Sequence, residues 1–171
     1  MSFASPPHPY PPDRYRGTTG EVSARWRPDD APHDLVTKLG SADYLATGAS
    51  TGGDYGLYRW NMGPGQGGPD AHFHKSLSES FFVLSGTIRL FDGTAWRDGS
   101  PGDFLYVPEG GAHGFRNDAN ESASMLILFA LGAPRERYFE GLVELATMSP
   151  RPGPEEIAQF YLEHDTYWVD T

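Results

Sequence analysis

The chain has 171 residues, which is enough for one domain with a substantial core and short tails, but not for two independent domains. Its formal net charge of −10 comes from acidic residues scattered along the chain, and this argues against nucleic acid or a membrane as a partner. Cysteine is absent, which excludes disulfides and thiolate metal sites and leaves histidine and carboxylate as the candidate metal ligands.

The N-terminal residues are rich in proline and carry no periodic apolar pattern, so residues 1–20 are predicted to form an extended arm. This stretch has no apolar segment of the kind found in secretion signals. The longest apolar run, around residues 125–133, is too short to span a bilayer. We therefore expect a cytoplasmic protein.

Residues 21–132 read as short runs of aromatic and branched residues separated by clusters of Gly, Pro, Asp and Asn. This pattern is typical of an antiparallel sandwich or barrel. The clearest predicted strands are YGLYRWNM, SFFVLSGTIRLF, DFLYVP, HGFRN and SMLILFA.

Residues 133–171 change period, because Phe139, Leu142, Val143 and Ala146 recur at helical spacing. A second helical pattern follows the Pro-Gly-Pro break at 152–154. The sequence thus predicts an all-β barrel with a C-terminal helical segment that packs on it. The aromatic residues of this segment are expected either to cap the barrel mouth or to pack against the barrel or a second subunit.

The stretch AHFHKSLSES contains the first candidate ligands, His72, His74 and Glu79. Successive side chains in a strand point to opposite faces, so the two histidines share one face while Phe73 points away. Three buried polar groups are costly unless they are paired or ligated. Taken alone, however, this pattern fits a hydrogen-bonded polar strand as well as a metal site.

A second stretch, GDFLYVPEGGAHGFRN, adds His113 where another strand begins after a glycine-rich turn. Three neutral imidazoles and one carboxylate form a suitable ligand set for a first-row divalent metal. Asn117 closes this stretch, and a structural hydrogen bond at the strand end is its expected role.

Together the two stretches resemble the two signatures of the cupins. The first runs from Gly67 through His72, His74 and Glu79 to Gly86, and the second from Gly102 through Pro108, Gly110 and His113 to Asn117. The resemblance implies a single-domain cupin with a double-stranded β-helix, or jelly-roll, barrel. It also implies that four residues bind one divalent transition metal per chain, either Fe, Mn, Ni, Co, Cu or Zn. These ligands would be His72, His74, Glu79 and His113. Cupin barrels commonly dimerise, so a homodimer is expected.

Within the cupins, the chain is similar to bacterial quercetinase-like dioxygenases in its H-x-H-x4-E spacing, its PGDFLYVP phrase and its ALGAPRERYFEGLVEL segment. This resemblance implies an oxidoreductase that uses O2 on a flat enolisable or phenolic molecule, with Glu79 as a catalytic base or ligand. Two alternatives remain open: a metal-dependent cyclase or isomerase that uses no oxygen on a polyketide-like substrate, and a non-catalytic binding protein. The candidate substrate-pocket residues are Trp60, Met62, Phe81, Phe104, Phe115 and Phe129.

The remaining features have plainer expected roles. The glycine-rich segment GPGQGGP lacks a following Lys-Ser or Lys-Thr and is predicted to form a lip of the barrel rather than a phosphate loop. The histidines outside the two signatures, His8, His33 and His164, are expected to be solvated.

Overall fold

The computed structural model describes residues 10–169, so His8 and the first part of the predicted arm lie outside the described residues. Contacts divide the chain into two units with the boundary between Ala31 and Pro32. Residues 10–31 contain bends and a turn but no helix or strand, and Trp26 among them is 89% exposed. The division into arm, barrel and C-terminal segment stays a proposal.

From Pro32 to residue 169 the structure contains eleven strands and two helices. In chain order they are β1 (Leu35–Val36), β2 (Gly40–Ala46), β3 (Gly56–Met62), β4 (His72–Phe73), β5 (Ser78–Ser85), β6 (Ile88–Phe91), β7 (Trp96–Gly99), β8 (Phe104–Val107), β9 (Gly114–Arg116), β10 (Ala123–Ala130), α1 (Arg135–Thr147), α2 (Pro154–Glu163) and β11 (Tyr167–Trp168).

The strands form three antiparallel sheets. A six-stranded sheet has the order β1-β2-β3-β10-β5-β8, a three-stranded sheet has the order β7-β6-β9, and β11 pairs with β4. The fold is an all-β jelly roll with two C-terminal helices, as the sequence predicted.

Strand β10 shows why the large sheet forms. Its side chains alternate between buried and half-buried positions, and the buried ones are Ala123, Met125, Ile127 and Phe129. A period of two places these four side chains on one face, where they join the hydrophobic core. Strands β3 and β5 pair with β10 on either side, so this apolar row lies in the interior of the sheet.

The two helices follow the predicted pattern. Helix α1 buries Tyr138 and Phe139, and helix α2 begins with Pro154, a position where the missing N–H costs nothing. The rings of Tyr138 and Phe160 stack with their centroids 5.7 Å apart and join the two helices. No helix in residues 10–169 is long and apolar enough to cross a membrane.

A short strand near the C-terminus was not predicted. Strand β11 pairs with β4 in an antiparallel register that sets Tyr167 opposite Phe73 and Trp168 opposite His72. We refer to residues 165–169 as the C-terminal strap. It brings the end of the chain against the strand that carries the first candidate metal ligand.

Candidate metal centre

His72 and His74 are positioned by β4 and by the strap. His72 lies in β4 opposite Trp168, and His74 follows just after the strand. The carboxylate of Asp165 accepts hydrogen bonds from the backbone N–H groups of Lys75 and Ser76, at 3.1 and 2.8 Å. The strap therefore fixes the chain immediately after the two histidines.

His113 is joined directly to His72 through the backbone. Each residue donates its N–H to the carbonyl of the other, at 2.9 and 2.8 Å. The turn before His113 needs Gly110, whose φ of +80° is rarely adopted by other residues, and its N–H donates to the carbonyl of His74 at 2.7 Å. Two backbone links thus hold the second signature against the first.

Glu79 lies near the start of β5 in the large sheet. Its neighbours across the sheet are Phe129 on β10 and Val107 on β8. The side chain is only 3% exposed. A central strand with partners on both sides gives this carboxylate a rigid base.

The structure brings the four predicted ligands together. Each of His72, His74, Glu79 and His113 is buried, and one potential ligand atom from each lies within 4.8 Å of the others. They are the one such group of His, Asp or Glu side chains found in residues 10–169.

The three imidazoles share the same pattern of hydrogen bonding. The Nδ1 atoms of His72, His74 and His113 donate to the backbone carbonyls of Asp70, Asp165 and Gly111, at 2.8, 2.5 and 2.9 Å. A carbonyl only accepts, so Nδ1 carries the proton in each ring. In the neutral rings each Nε2 then presents a lone pair, and this arrangement is usual for metal-binding histidines.

The lone pairs converge on the carboxylate. The Nε2 atoms of His74 and His113 lie 3.1 and 2.8 Å from Oε2 of Glu79. Acceptors that face acceptors at these distances need a cation between them, either a proton or a metal ion. The donor set of three nitrogens and one carboxylate oxygen suits a first-row divalent metal.

The pKa values of the cluster follow from burial and from mutual charge. Burial opposes the ionisation of Glu79, but the adjacent His113 and His74 hold its pKa well below the ordinary value. Burial, followed by repulsion from His113, lowers the pKa of His72 to about 3. Burial also disfavours charge on His113, but the Glu79 carboxylate outweighs it and raises the pKa of His113. His72 is therefore a neutral donor near pH 7.

A cavity of about 600 Å³ reaches the cluster at His72 and Glu79. Residues 66–69 of the glycine-rich segment, followed by Asp70, line this cavity. The helices and the strap supply part of its wall. The aromatic lining residues are Trp60, Phe115, Phe129, Tyr138, Phe139, Tyr161 and Trp168.

Three of the six predicted pocket residues, Trp60, Phe115 and Phe129, line this cavity. Phe81 and Met62 do not line it; they are 0% and 1% exposed and belong to the hydrophobic core. The prediction for Phe104 is corrected as well. Its side chain is 63% exposed because it lies on the outer face of β8, where Leu105 and Val107 occupy the inner face.

Arg135 and the strap were missed by the sequence analysis. Arg135 lines the cavity and is only 4% exposed, although it stands at the first position of α1. An arginine in the first helical turn opposes the helix dipole, which offers a weak signal in the sequence. The strap has no comparable signal, because a two-residue strand carries no periodic pattern.

The other polar residues named in the sequence analysis contact groups outside the metal cluster. The Asn117 amide donates to the carbonyls of Gly63 and Glu121, at 2.9 and 2.8 Å, in line with its expected role. His33 is not simply solvated, because its Nδ1 lies 2.6 Å from Oδ1 of buried Asp43. His164 is half-buried, with its ring 4.7 Å from that of Phe160, so the expectation of a solvated side chain is corrected there too.

Comparisons with known proteins agree with this architecture. The model of the cupin domain family matches residues 58–129. No significant match is found among curated protein sequences.

Among solved structures, KdgF from a Halomonas species is similar with a TM-score of 0.54 and 17% identity, over 63% of this chain and 94% of that chain. The polyketide cyclase RemF from Streptomyces resistomycificus is similar with a TM-score of 0.53 and 19% identity, over 68% of this chain and 92% of that chain. A Cupin 2 conserved barrel domain protein from Salinispora arenicola gives a TM-score of 0.51 and 23% identity, over 69% and 98%.

At these identities the likeness to solved structures shows a shared fold and leaves activity to be argued from the site. The match of the family model extends from β3 to β10 and includes all four residues of the buried cluster. Both cupin signatures lie on the strands and turns that position this cluster. Residues 58–129 therefore match the cupin domain family and have its fold.

Proposed function

We propose that this cupin is a metal-dependent dioxygenase that acts on a flat, enolisable or phenolic small molecule. The observation that carries the proposal is the position of the buried four-residue cluster at one wall of an apolar, aromatic cavity. Catalytic sites commonly combine such a cavity with a few convergent polar groups.

In this proposal His72, His74, His113 and Glu79 hold one divalent transition metal. A metal bound there would supply a Lewis acid, which would favour the ionised form of a substrate hydroxyl. The backbone carbonyls that accept from the three Nδ1 atoms keep the imidazoles oriented toward it.

Glu79 has a second role as the base. Its Oε2 is the carboxylate atom nearest the His74 and His113 rings, and the residue lines the cavity. A carboxylate at this position can take the proton from the hydroxyl of an enol or phenol. The apolar surroundings allow its proton affinity to be adjusted by what binds next to it.

The cavity walls select and protect the substrate. Trp60, Phe115 and Phe129 offer flat surfaces for an aromatic or conjugated molecule, and a volume of about 600 Å³ accommodates a compound of that size. Because these walls are apolar, they exclude water from the electron-rich anion once it has formed.

The oxygen-dependent reaction is the part of the proposal that rests on the resemblance to quercetinase-like cupins. In a dioxygenase both atoms of O2 enter the organic substrate, which supplies all four electrons, so no external reductant is needed. The alternative cyclase or isomerase would use the same ligands and the same base without O2.

The first experiment measures metal content and oxygen uptake together. Protein purified without a histidine tag or chelator is analysed for metals, and it is then assayed with an oxygen electrode against a flavonol and a 1,3-diketone. We expect near-stoichiometric metal and substrate-dependent oxygen consumption. His113→Ala should lose the metal, whereas His33→Ala removes a histidine outside the cluster and should keep it.

The outcomes separate the candidate functions. Metal with substrate turnover but no oxygen consumption would replace the dioxygenase with a cyclase or isomerase. Metal without turnover of any enolisable compound would leave a binding protein. Failure of the wild type to bind any first-row divalent metal after reconstitution would overturn the proposal as a whole.

A further inference from the structure

Arg135 is a buried cation in the wall of the cavity next to the metal cluster. Its side chain lines the same cavity as Glu79 and is 4% exposed. Burial lowers the pKa of Arg135, and the attraction of the Glu79 carboxylate offsets this cost only in part. A guanidinium is placed in such a site only when other groups offset that cost.

In the described part of the chain, only some of the side-chain N–H groups of Arg135 have a hydrogen-bond acceptor. Nη1 donates to the carbonyl of His164 at 2.8 Å. Nε is buried and has no hydrogen-bond partner in the part of the chain that the structure describes. An unpaired buried donor is uncommon in folded proteins and calls for an acceptor.

Aromatic rings hold the guanidinium in place without using its donors. Its central carbon lies 4.2 Å from the ring centroid of Tyr138 and 4.9 Å from that of Phe129. Rings at these distances attract the cation through their π faces. The group is therefore pre-oriented, and its N–H groups remain available in the plane of the guanidinium.

The charged residues that line the cavity also favour an anion as its ligand. Among the lining residues, Arg135 is the one permanent cation, and Glu79 and Asp70 are the carboxylates. Asp70 is exposed, so solvent screens it. A divalent ion beside Glu79 would leave this apolar cavity with an excess of positive charge, to which Arg135 adds.

We propose that Arg135 binds the carboxylate of the substrate, and that the substrate is a flat organic acid that also carries an enol or phenol hydroxyl. This inference rests on the proposed function in one respect, because it takes the cavity next to the four-residue cluster as the substrate site. The hydroxyl faces the cluster, and the carboxylate meets the guanidinium of Arg135.

The test compares a matched pair of probes, salicylate and its neutral amide, salicylamide. Each is titrated by calorimetry into the zinc-loaded full-length protein, in which redox turnover is absent. We expect salicylate to bind at least tenfold more tightly than salicylamide. Arg135→Gln should weaken salicylate binding at least tenfold and leave both salicylamide binding and zinc content unchanged.

Two further variants make the result specific. Arg137→Gln removes an exposed arginine two residues later in the same helix and should bind salicylate like the wild type. Arg135→Lys keeps the charge and should retain a preference for salicylate over salicylamide. If Arg135→Gln does not fold, the binding of the two probes can still be compared between Arg135→Lys and the wild type.

Three results would overturn the inference: zinc-loaded wild type that binds no salicylate at millimolar concentration, equal affinity for the two probes, or unchanged salicylate binding in Arg135→Gln. A purely structural role for Arg135 would instead weaken both probes together or release zinc, and this also counts against the proposal. Because the probes are not turned over, none of these results depends on whether the enzyme uses O2.

Discussion

Among single residues, Asp43 shows how the barrel accommodates a buried charge away from the metal centre. Its side chain is fully buried, and its two oxygens accept from different partners. Oδ1 lies 2.6 Å from Nδ1 of His33, and Oδ2 accepts from Nε of Arg59 at 2.7 Å. Burial disfavours the charged carboxylate, but these two partners hold the pKa of Asp43 below its ordinary value of 3.8.

The lowered pKa of Asp43 predicts a loss of stability in acid. The unfolded chain binds a proton here at a higher pH than the folded protein does, so the contribution is complete above about pH 5. It is lost as the pH falls through 3.8 and toward the folded pKa. In urea unfolding with a chelator present, the free energy of unfolding should fall more steeply from pH 5 to pH 3 in the wild type than in Asp43→Asn.

The control for this prediction is Asp98→Asn, which makes the same charge change at a side chain that is 73% exposed. It should keep the pH dependence of the wild type. Asp43→Asn should in addition cost about 2 kcal/mol at pH 7, because hydrogen bonds to a charged group are lost. An identical pH slope in the wild type and Asp43→Asn would contradict the role given to this carboxylate.

Asn117 belongs to the second signature, but its role is structural and it is not a metal ligand. Its amide donates to two carbonyls, and its Oδ1 accepts from the N–H of Ala119 at 3.0 Å. Asn117→Ala removes all three hydrogen bonds at a fully buried site and should lower the free energy of unfolding by about 2–4 kcal/mol. Metal content should stay at the wild-type level, and elemental analysis of the folded variant checks this. Selective loss of metal without loss of stability would contradict the assignment.

Among the structural elements, the C-terminal strap has the most direct effect on the metal centre. The backbone carbonyl of Asp165 accepts from Nδ1 of His74 at 2.5 Å, while its carboxylate accepts from Ser76 Oγ at 2.6 Å. The same residue therefore orients a ligand and anchors the loop that follows it. Asp165 has a φ of +53°, a left-handed conformation that Asp and Asn tolerate better than most residues.

Loss of the Asp165 carboxylate should weaken metal binding. Asp165→Ala frees the loop at Lys75 and Ser76, so the carbonyl that orients His74 is held less firmly. We expect a 10–100-fold weaker zinc affinity, measured by competition with a chromophoric chelator, since groups that orient ligands commonly have effects of about this size.

Two variants control for backbone and helix effects. Asp165→Asn keeps one acceptor oxygen and suits the left-handed conformation, so it should show an intermediate affinity. Glu163→Ala changes an exposed carboxylate at the end of α2 and should have no effect. Equal zinc affinity in Asp165→Ala and the wild type would show that the strap does not support the centre.

In the molecule as a whole, the features that the sequence predicted are those that depend on the spacing of residues close together in the chain. The two signatures placed His72, His74, Glu79 and His113 on strands and turns that meet in the structure, and the change of period located both helices. Periodicity does not tell which face of a strand is the inner one, and for this reason Phe104 was placed in the pocket instead of on the surface.

The missed features depend on contacts between distant parts of the chain. Strand β11 exists because it pairs with β4, about ninety residues away in sequence, and Arg135 lines the cavity because α1 forms part of the cavity wall. The expected homodimer remains a prediction. Four large apolar side chains are exposed on β5 and β8, namely Phe82, Leu84, Phe104 and Tyr106.

The metal centre should also stabilise the fold as a whole. Its ligands lie in or next to β4, in β5 and just before β9, and the strap is joined to them through His74. A bound ion therefore links segments that are distant in sequence. A ligand at a hundred times its Kd contributes about 2.7 kcal/mol. For a protein of this size that corresponds to about 5–10 °C in the unfolding midpoint.

Chelation should therefore lower the midpoint of metal-loaded wild type by about that amount in a calorimetric or circular dichroism melt. His113→Ala should melt at the same temperature with and without EDTA, because the ion is already absent. Asn117→Ala should melt earlier than the wild type but keep the chelator-dependent shift, since its four ligands are intact. If the chelator lowered the midpoint of His113→Ala as much as that of the wild type, the stabilising ion would bind elsewhere. If the chelator lowers the midpoint only in proteins that keep all four ligands, the ion that stabilises the barrel binds at this centre.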